Sequence, residues 1–527
     1  MNRFAHFLDA LSYEPARNGK LALMIDYFRE VPDPERGYAL AALTGGLEFR
    51  HAKAGLIREL VSARVDPVLF ELSYDYVGDL AETTALIWPQ RPGANRVPGL
   101  SDVVETLRGA AKTETPKLIE GWLDALAAYG RWALIKQVTG GLRVGVSARL
   151  AKTAVAKFGE LPVNEVEELW HGLDVPYTEL FTWAEGTTEK PIHAALAPFR
   201  PVMLAHPIAE TGFEKLAPED FRAEWKWDGI RVQAVSEGGT RRLYSRSGDD
   251  ISRSFPDVLE ALDFEASLDG ELLIGSNGEV RPFADLQKRL NRKTVSKKTL
   301  VDSPAFIRAY DALVIDGEDL RPLPFDERRA KLEAWFYRVA PQRIDLSDQL
   351  AFTTWDDLAK ARGDNLAVGV EGLMLKRGDS VYEPGRPKGP WWKWKRDPFI
   401  IDAVLLYAQR GHGKRSSFYS DYTFGVWRGE ELVPVGKAYF GFTDEELKQI
   451  DKFVRANTTN RFGPVREVTH TREEGLVLEV AFEGLNRSTR RKSGVAMRFP
   501  RISRLRWDKP PAEADKLETL EDLLPKS

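Results

Sequence analysis

The chain has 527 residues, 43% of them hydrophobic and 29% charged, with a formal net charge of −4; this is an ordinary globular balance, and at ~150 residues per domain the length suggests three or four domains. No cysteine is present, so disulfides, thiolate zinc sites and cysteine nucleophiles are excluded, and the seven histidines show no metalloprotease-type spacing. The acidic balance argues against a generic nucleic-acid binder, and with neither a secretory signal at Met1–Asp9 nor an apolar run long enough for a bilayer, a cytoplasmic protein away from membranes is expected.

Residues 1–195 read as an all-α domain. Thr115 is placed to cap a helix with Pro116 at its first position. Leu118, Ile119, Trp122, Leu123 and Leu126 follow at helical spacing, and Gly130 closes the segment. Ser147 caps the next helix, with Leu150, Ala154, Val155 and Phe158 on one face, and Asn164 with Glu167 forms a capping-box pattern ahead of Leu169 and Trp170. Between them lies the glycine-rich loop Thr139–Val146, which carries Arg143. Glycines there let backbone amides approach a phosphate.

Pro191, Pro198, Pro201 and Pro207 punctuate a boundary, and residues 200–397 change to short strands with interspersed helices. The run Glu224-Trp225-Lys226-Trp227-Asp228-Gly229-Ile230-Arg231 stands out. Alternation over Phe221–Lys226 predicts a strand with Glu224 and Lys226 on one face. An indole on each side of Lys226 is expected to exclude water, and Asp228-Gly229 to make a tight turn before Arg231. A lysine so placed is a nucleophile once it loses its proton. Arg246 sits in the polar turn Tyr244–Gly248. Asp269 and Glu271, two apart in a strand, share a face and are expected to meet a ligand there, since burying them unpaired is unfavourable; Asp269 also reads as a turn-supporting residue. Tyr310 lies in the core strand Ala309–Leu313. Glu371 and Lys376 flank an apolar strand, five apart. In Trp391–Arg396, Lys393 and Lys395 share one face and Trp392 and Trp394 the other.

From 398 to 510, strands at Phe399–Leu405, Tyr422–Trp427, Leu432–Phe440 and Leu476–Phe482 surround a single helix at Thr443–Phe453. Its capping box is Thr443 with Glu446. That content fits a small barrel such as the OB-fold. Residues 511–527 read as a polar, peripheral tail. Two basic runs, Lys288–Lys298 with six basic residues and no acid, and Arg487–Lys509 with nine and only Asp508 against them, suggest local phosphate-binding surfaces.

Lys226-x-Asp228-Gly229-x-Arg231 and the segments around Arg246, Asp269–Glu271, Tyr310, Glu371–Lys376 and Lys393–Lys395 come in one order over roughly 285 residues. Together with Arg498-Phe499-Pro500-Arg501 and Arg506–Lys509 they resemble the motifs of ATP-dependent DNA ligases. The layout is most similar to the bacterial three-domain cisplatin damage response group. The resemblance implies a helical DNA-binding domain, an α+β nucleotidyltransferase (adenylation) domain and a C-terminal OB-fold. It implies Lys226 as the AMP acceptor, and ATP contacts from Glu224, Arg231, Arg246, Glu271, Tyr310 (against adenine), Lys376 (α-phosphate), Lys393, Lys395, Arg498, Arg501 and Lys509. Glu271 and Glu371 would serve Mg²⁺, with Mn²⁺ able to substitute, and Arg143 would contact DNA. The family also has an arginine upstream of the paired lysines; Arg386 and Lys388 both stand near that place.

The implied function is nick sealing in duplex DNA, in repair or replication, by a monomer whose barrel moves between steps. Repair-protein partners are not readable from the residues. RNA ligation or mRNA capping uses the same lysine chemistry, but the large helical region disfavours both. A non-catalytic DNA-binding protein is disfavoured by the intact Lys226, Glu271, Glu371, Lys393 and Lys395.

Overall fold

The structure, a computed structural model, describes residues 1–77, 79–89, 96–191, 197–276, 278–290, 292, 295–364, 369–410, 418–488 and 491–524. Its contacts divide the chain into two units. One comprises Met1–Phe158, Val175–Phe181 and Asp397–Ser527, the other Gly159–Asp174 and Thr182–Arg396. The helical region expected to end at 195 therefore gives part of its C-terminal stretch to the second unit. There Glu168 pairs with Arg321 at 2.6 Å, and His171 packs on Tyr244 and Phe199.

The helical part of the first unit is held by amphipathic faces such as Ala151, Ala154 and Val155 of Ala148–Phe158. Three local readings need correction. Glu114, not Thr115, precedes the helix Thr115–Ala125, and the Thr115 hydroxyl bonds back to Ala111 O. That helix stops at Leu126 rather than Gly130, which lies buried inside the next helix, Ala128–Thr139. The break is fixed by Arg131, whose buried guanidinium donates to Leu123 O and Trp88 O at 2.6 and 3.1 Å and so satisfies orphan carbonyls of two helix ends. Asn164 and Glu167 form no capping box, because Val163–Leu169, with Pro162 at its N-cap, starts two residues earlier than that pattern requires. Ser147 does cap, accepting from Leu150 N at 3.2 Å.

The second unit contains two sheets. We label its main strands β1 (Phe221–Trp227), β2 (Ile230–Glu237), β3 (Thr240–Ser245), β4 (Ala266–Ser276), β5 (Ala305–Ile315), β6 (Val370–Arg377) and β7 (Trp391–Lys395). A five-stranded sheet runs His206–Pro207, β7, β6, β1, Gln349–Leu350. A seven-stranded one is built on β3-β2-β4-β5. The larger sheet buries Val232, Leu268, Leu272, Ile307 and Trp335. The smaller buries Ala223, Leu373, Leu375 and Trp394 on one face. Met203, Leu313, Tyr382 and Trp391 form a separate cluster that brings residues of both sheets together.

In the first unit the barrel region has β8 (Phe399–Arg410), β9 (Tyr419–Arg428), β10 (Glu431–Ala438), β11 (Thr458–Phe462), β12 (Val465–Val468), β13 (Val477–Phe482), β14 (Gly484–Arg487), β15 (Val495–Arg498) and β16 (Arg501–Arg506). Strand β8 pairs with β13 along Phe399–Val404 and with β12 at Tyr407–Gln409. With β9 paired along its other edge, one bent strand thus splits this edge between two ladders, as a curled sheet requires. The helix Asp444–Ala456 carries the expected capping box of Thr443 and Glu446. The tail is not peripheral. Leu517, Leu520 and Leu524 enter the barrel core, and Trp427 Nε1 donates to Pro511 O at 2.7 Å. Its leucines sit three and four apart, so a helix hides an apolar stripe inside an acidic composition.

The basic runs are less open than their composition suggests. Arg289 is buried against Asp257, and Lys288 pairs with Asp285. In the second run Arg504 meets Glu479, and Arg506 meets Asp402 and Asp508. Lys293 and Arg490 lie outside the described residues.

Candidate active site

Register builds the site. Lys226 on β1 stands opposite Gly372 on β6, which stands opposite Lys395 on β7. Glu224, Met374 and Lys393 form the next row, and Arg222, Lys376 and Trp391 the one after. Directly opposed residues share a face. One face therefore carries Glu224, Lys226, Lys376, Lys393 and Lys395. The indole of Trp225 belongs to the other face, packed with Trp392 and Trp394 in the apolar cluster behind the sheet. Trp227 lies under the Arg308 guanidinium, 4.2 Å from its ring centroid. The expectation that flanking indoles shield the lysine fails for Trp225, because neighbours along a strand point opposite ways.

Two glycines re-aim the chain. Asp228-Gly229 makes no hairpin within one sheet; it carries the backbone from β1 in the smaller sheet to β2 in the larger. A Cβ on Gly229 would lie 2.5 Å from Leu272 O and 2.8 Å from Glu271 Cγ, so only glycine lets β4 approach here. Gly372, at φ 145°, marks a register shift in β6, and a Cβ there would strike Trp394 O. Spaced five apart, Glu371 and Lys376 would point to opposite faces of a regular strand. The irregularity brings both to the lysine face.

Lys226 Nζ donates to Glu371 Oε1, and Lys395 lies 3.4 Å from the other oxygen. Glu271, on β4, has its carboxyl pushed up to about 8 from 4.5; burial raises it first, Lys226 and Arg231 pull it down, and Glu371 and Asp269 push it up. Arg231 is not open to solvent. It forms a two-pronged pair with Asp269 at 2.9 and 2.6 Å and donates to Met203 O, and the Tyr382 hydroxyl also bonds Asp269. Asp269, fully buried, is thus the anchor of Arg231 rather than a turn support.

Lys376 is 1% exposed. Its ammonium donates to Glu224 Oε1 at 3.1 Å and Tyr310 O at 3.0 Å, and lies 4.5 Å from the Tyr310 ring centroid. Burial lowers its pKa, opposed by Glu224 and Asp311. It sits beneath Glu224 and Tyr310 rather than on the open surface.

Cations gather around Lys393. Burial lowers its pKa first, then the charges of Lys395, Lys226, Arg386 and Arg246. Arg246 is lowered by burial, Arg231 and Arg386. Of the two upstream candidates, Arg386 joins this group. The irregular segment between β6 and β7 hid this from strand spacing. Asp269, Tyr382 and the fully buried Asp311–Arg328 pair were also missed as supports. The two aspartates signalled only as polar residues inside apolar strands, whereas Arg328 lies in the helix Phe325–Val339 and Tyr382 in the segment between β6 and β7.

The remaining candidates lie in the first unit. Arg498 ends β15 and Arg501 opens β16, with Phe499 between them 57% exposed at φ 49°. Lys509 pairs with Asp402 at 2.8 Å. Arg143 is exposed in its loop at φ 44°.

Among the described residues no three His, Cys, Asp or Glu side chains come together as a metal cage. The Glu371 carboxylate and the buried Glu271 carboxyl, once it gives up its proton, suit a hard cation that takes its other ligands from phosphate and water. The set as a whole brings together an amine, two carboxyl groups and a cluster of cations, a combination able to hold and neutralise phosphate groups.

The chain is similar to known proteins over most of its length. Residues 202–395 match the ATP dependent DNA ligase domain and 415–509 the ATP dependent DNA ligase C terminal region. A probable DNA ligase of Koribacter versatilis is 32% identical, over 99% of this chain and 96% of that protein. A DNA ligase of Thermococcus onnurineus is 32% identical, over 76% of this chain and 72% of that protein. The solved structure Pmar-Lig_Pre shares the fold at a TM-score of 0.60 and 14% identity, over 96% of this chain and 99% of that one. With a helical N-terminal region, a nucleotidyltransferase region and an OB-like C-terminal region in that order, the chain belongs to the ATP-dependent DNA ligase family.

Proposed function

We propose that Lys226 carries AMP through three in-line transfers that close a nick in duplex DNA. The observation that carries this reading is the contact between Lys226 and Glu371 inside a ring of cations. Lys226 gives up a proton, for which Glu371 is the touching acceptor, and its Nζ attacks the α-phosphorus of ATP; the bond to pyrophosphate breaks. Lys393, Lys395, Arg246 and Arg386 offset phosphate charge, and Tyr310 stacks on adenine. Arg231 is held by Asp269 to line the pocket. Lys376 supports Glu224 and Tyr310 from below, a role its burial favours over a direct α-phosphate contact. Glu271 and Glu371 would hold Mg²⁺, with Mn²⁺ able to replace it, and the cation would neutralise charge on phosphate oxygens.

A DNA 5′-phosphate oxygen then attacks the AMP phosphorus and Lys226 leaves. The 3′-hydroxyl attacks the activated 5′-phosphate, and AMP leaves. Arg498, Arg501 and Lys509 act in the first step, where pyrophosphate is the leaving group, and the barrel withdraws before DNA engages. The helical region grips the duplex, with Arg143 as a contact. We assign the protein to the cisplatin damage response group of bacterial ligases, acting as a cytoplasmic monomer in repair or replication. The three-part order and the full-length match to bacterial relatives support this.

The test is incubation with α-labelled ATP followed by nicked DNA, nicked RNA–DNA hybrid and diphosphate-ended RNA. Label on the protein that is discharged with closure of nicked DNA is expected. Transfer to the RNA end would instead make this a capping-type enzyme, and absence of protein label would remove the covalent mechanism.

A further inference from the structure

The helical region holds a lysine that none of these steps uses. Lys20, early in the helix Arg17–Glu30, is 7% exposed. Its Nζ donates to Leu11 O and to Val144 O, each at 2.5 Å. Among the described residues no carboxylate pairs with it. Glu14 acts on it only from a distance, and one Glu14 oxygen accepts from Ala16 N at 2.7 Å. An ammonium buried against carbonyl dipoles alone is unfavourable, and burial lowers its pKa, opposed only by Glu14. Capping the end of the helix Asn2–Tyr13 through Leu11 O explains one bond. It does not explain the bond to Val144, 124 residues away in the chain.

Val144 lies in the loop joining the helices Ala128–Thr139 and Ala148–Phe158. Gly140, Arg143 and Gly145 there have φ of 71°, 44° and 68°. A Cβ on Gly145 would lie 2.9 Å from Lys20 Nζ, so the ammonium sits directly behind that glycine. The loop leads into the N-terminus of an eleven-residue helix. Exposed Arg143, the helix end and a buried cation without a counter-charge thus converge on one short loop, and all three favour an anion. We infer that Lys20 is a positioning residue that holds the Gly140–Val146 loop in place and lends it charge, making the loop a site for one backbone phosphate of duplex DNA. This rests on the reading that the helical region grips DNA, and adds the residue that builds the contact.

The test uses full-length protein and a labelled nicked duplex, with affinity measured over a KCl series. Lys20→Met should weaken binding several-fold at moderate salt and reduce the slope of log K against log [KCl] by about one, the loss of one phosphate neutralisation. Lys20→Gln, which keeps a donor for one carbonyl, should show the same slope change, whereas Lys20→Arg should retain the wild-type slope. Self-adenylylation should be unchanged in all three. Wild-type slopes in both neutral variants overturn the inference, and so does weaker binding at a wild-type slope with a lowered melting temperature, which marks a purely structural cap. Arg143→Glu separates the two readings. If it weakens binding while the neutral Lys20 variants do not, only the inference falls; if it too leaves binding unchanged, the DNA-gripping role of this loop falls as well.

Discussion

Glu271 and Glu371 differ in what surrounds them, and the difference is measurable. Glu371 is paired with Lys226 and Lys395, whereas burial pushes the Glu271 carboxyl up to about 8. The folded protein holds that proton more tightly than the unfolded chain. Its contribution to stability is therefore present below the ordinary value of 4.5 and is lost as pH rises towards 8. In chelator and without nucleotide, Glu271→Gln should melt close to wild type at pH 5 and above it at pH 9; parallel curves across that range would refute the assignment. Both Glu271→Ala and Glu371→Ala should lose sealing across a Mg²⁺ titration, because each removes an oxygen donor beside the phosphates, and near-normal sealing by both would contradict the metal role. Sequence reading found these carboxylates but misjudged Asp269. Spacing gives the face of a strand and not its depth, and Asp269 is fully buried beneath Arg231. Asp269→Ala is accordingly expected to impair adenylylation at least as much as Glu271→Ala, where a turn role would have left it mild.

Elements were legible where a local rule governs them and obscure where tertiary contacts decide. Thr443 with Glu446 announced its helix because both hydrogen bonds of that cap are local. The break near Leu126 was hidden, because it depends on Arg131 reaching carbonyls of two separate helices. The tail was misread from its acidity. Leu520, fully buried in the barrel core, shows the error can be tested: Leu520→Ala should cost about 2–5 kcal/mol and lower the barrel's melting transition, whereas an unchanged melt would return the tail to the surface. On the same barrel, an Arg501→Ala, Lys509→Ala double variant should self-adenylylate poorly yet close a pre-adenylylated nick, since pyrophosphate is absent from that step. Equal loss of both activities would contradict the step-specific role.

At the level of the whole chain, the motif order was readable because each motif is a few residues on a strand of fixed period. The convergence of β1, β6 and β7 with β2, β4 and β5 was not, because the Asp228-Gly229 crossing between two sheets looks in sequence like any hairpin turn. Nor was the division of the chain, in which residues 159–174 and 182–191 belong with the nucleotidyltransferase region. Cutting near Pro201 would strip that region of contacts such as Glu168–Arg321, so point variants test its chemistry more cleanly. The most direct measurement is to locate the covalent AMP. Protein incubated with ATP and a divalent cation, digested and analysed by mass spectrometry, should carry AMP on the peptide containing Lys226 and lose it on addition of nicked DNA. Lys226→Arg, which keeps the charge but cannot yield a free amine, should carry none. AMP on any other residue, or wild-type labelling of the arginine variant, would contradict the account.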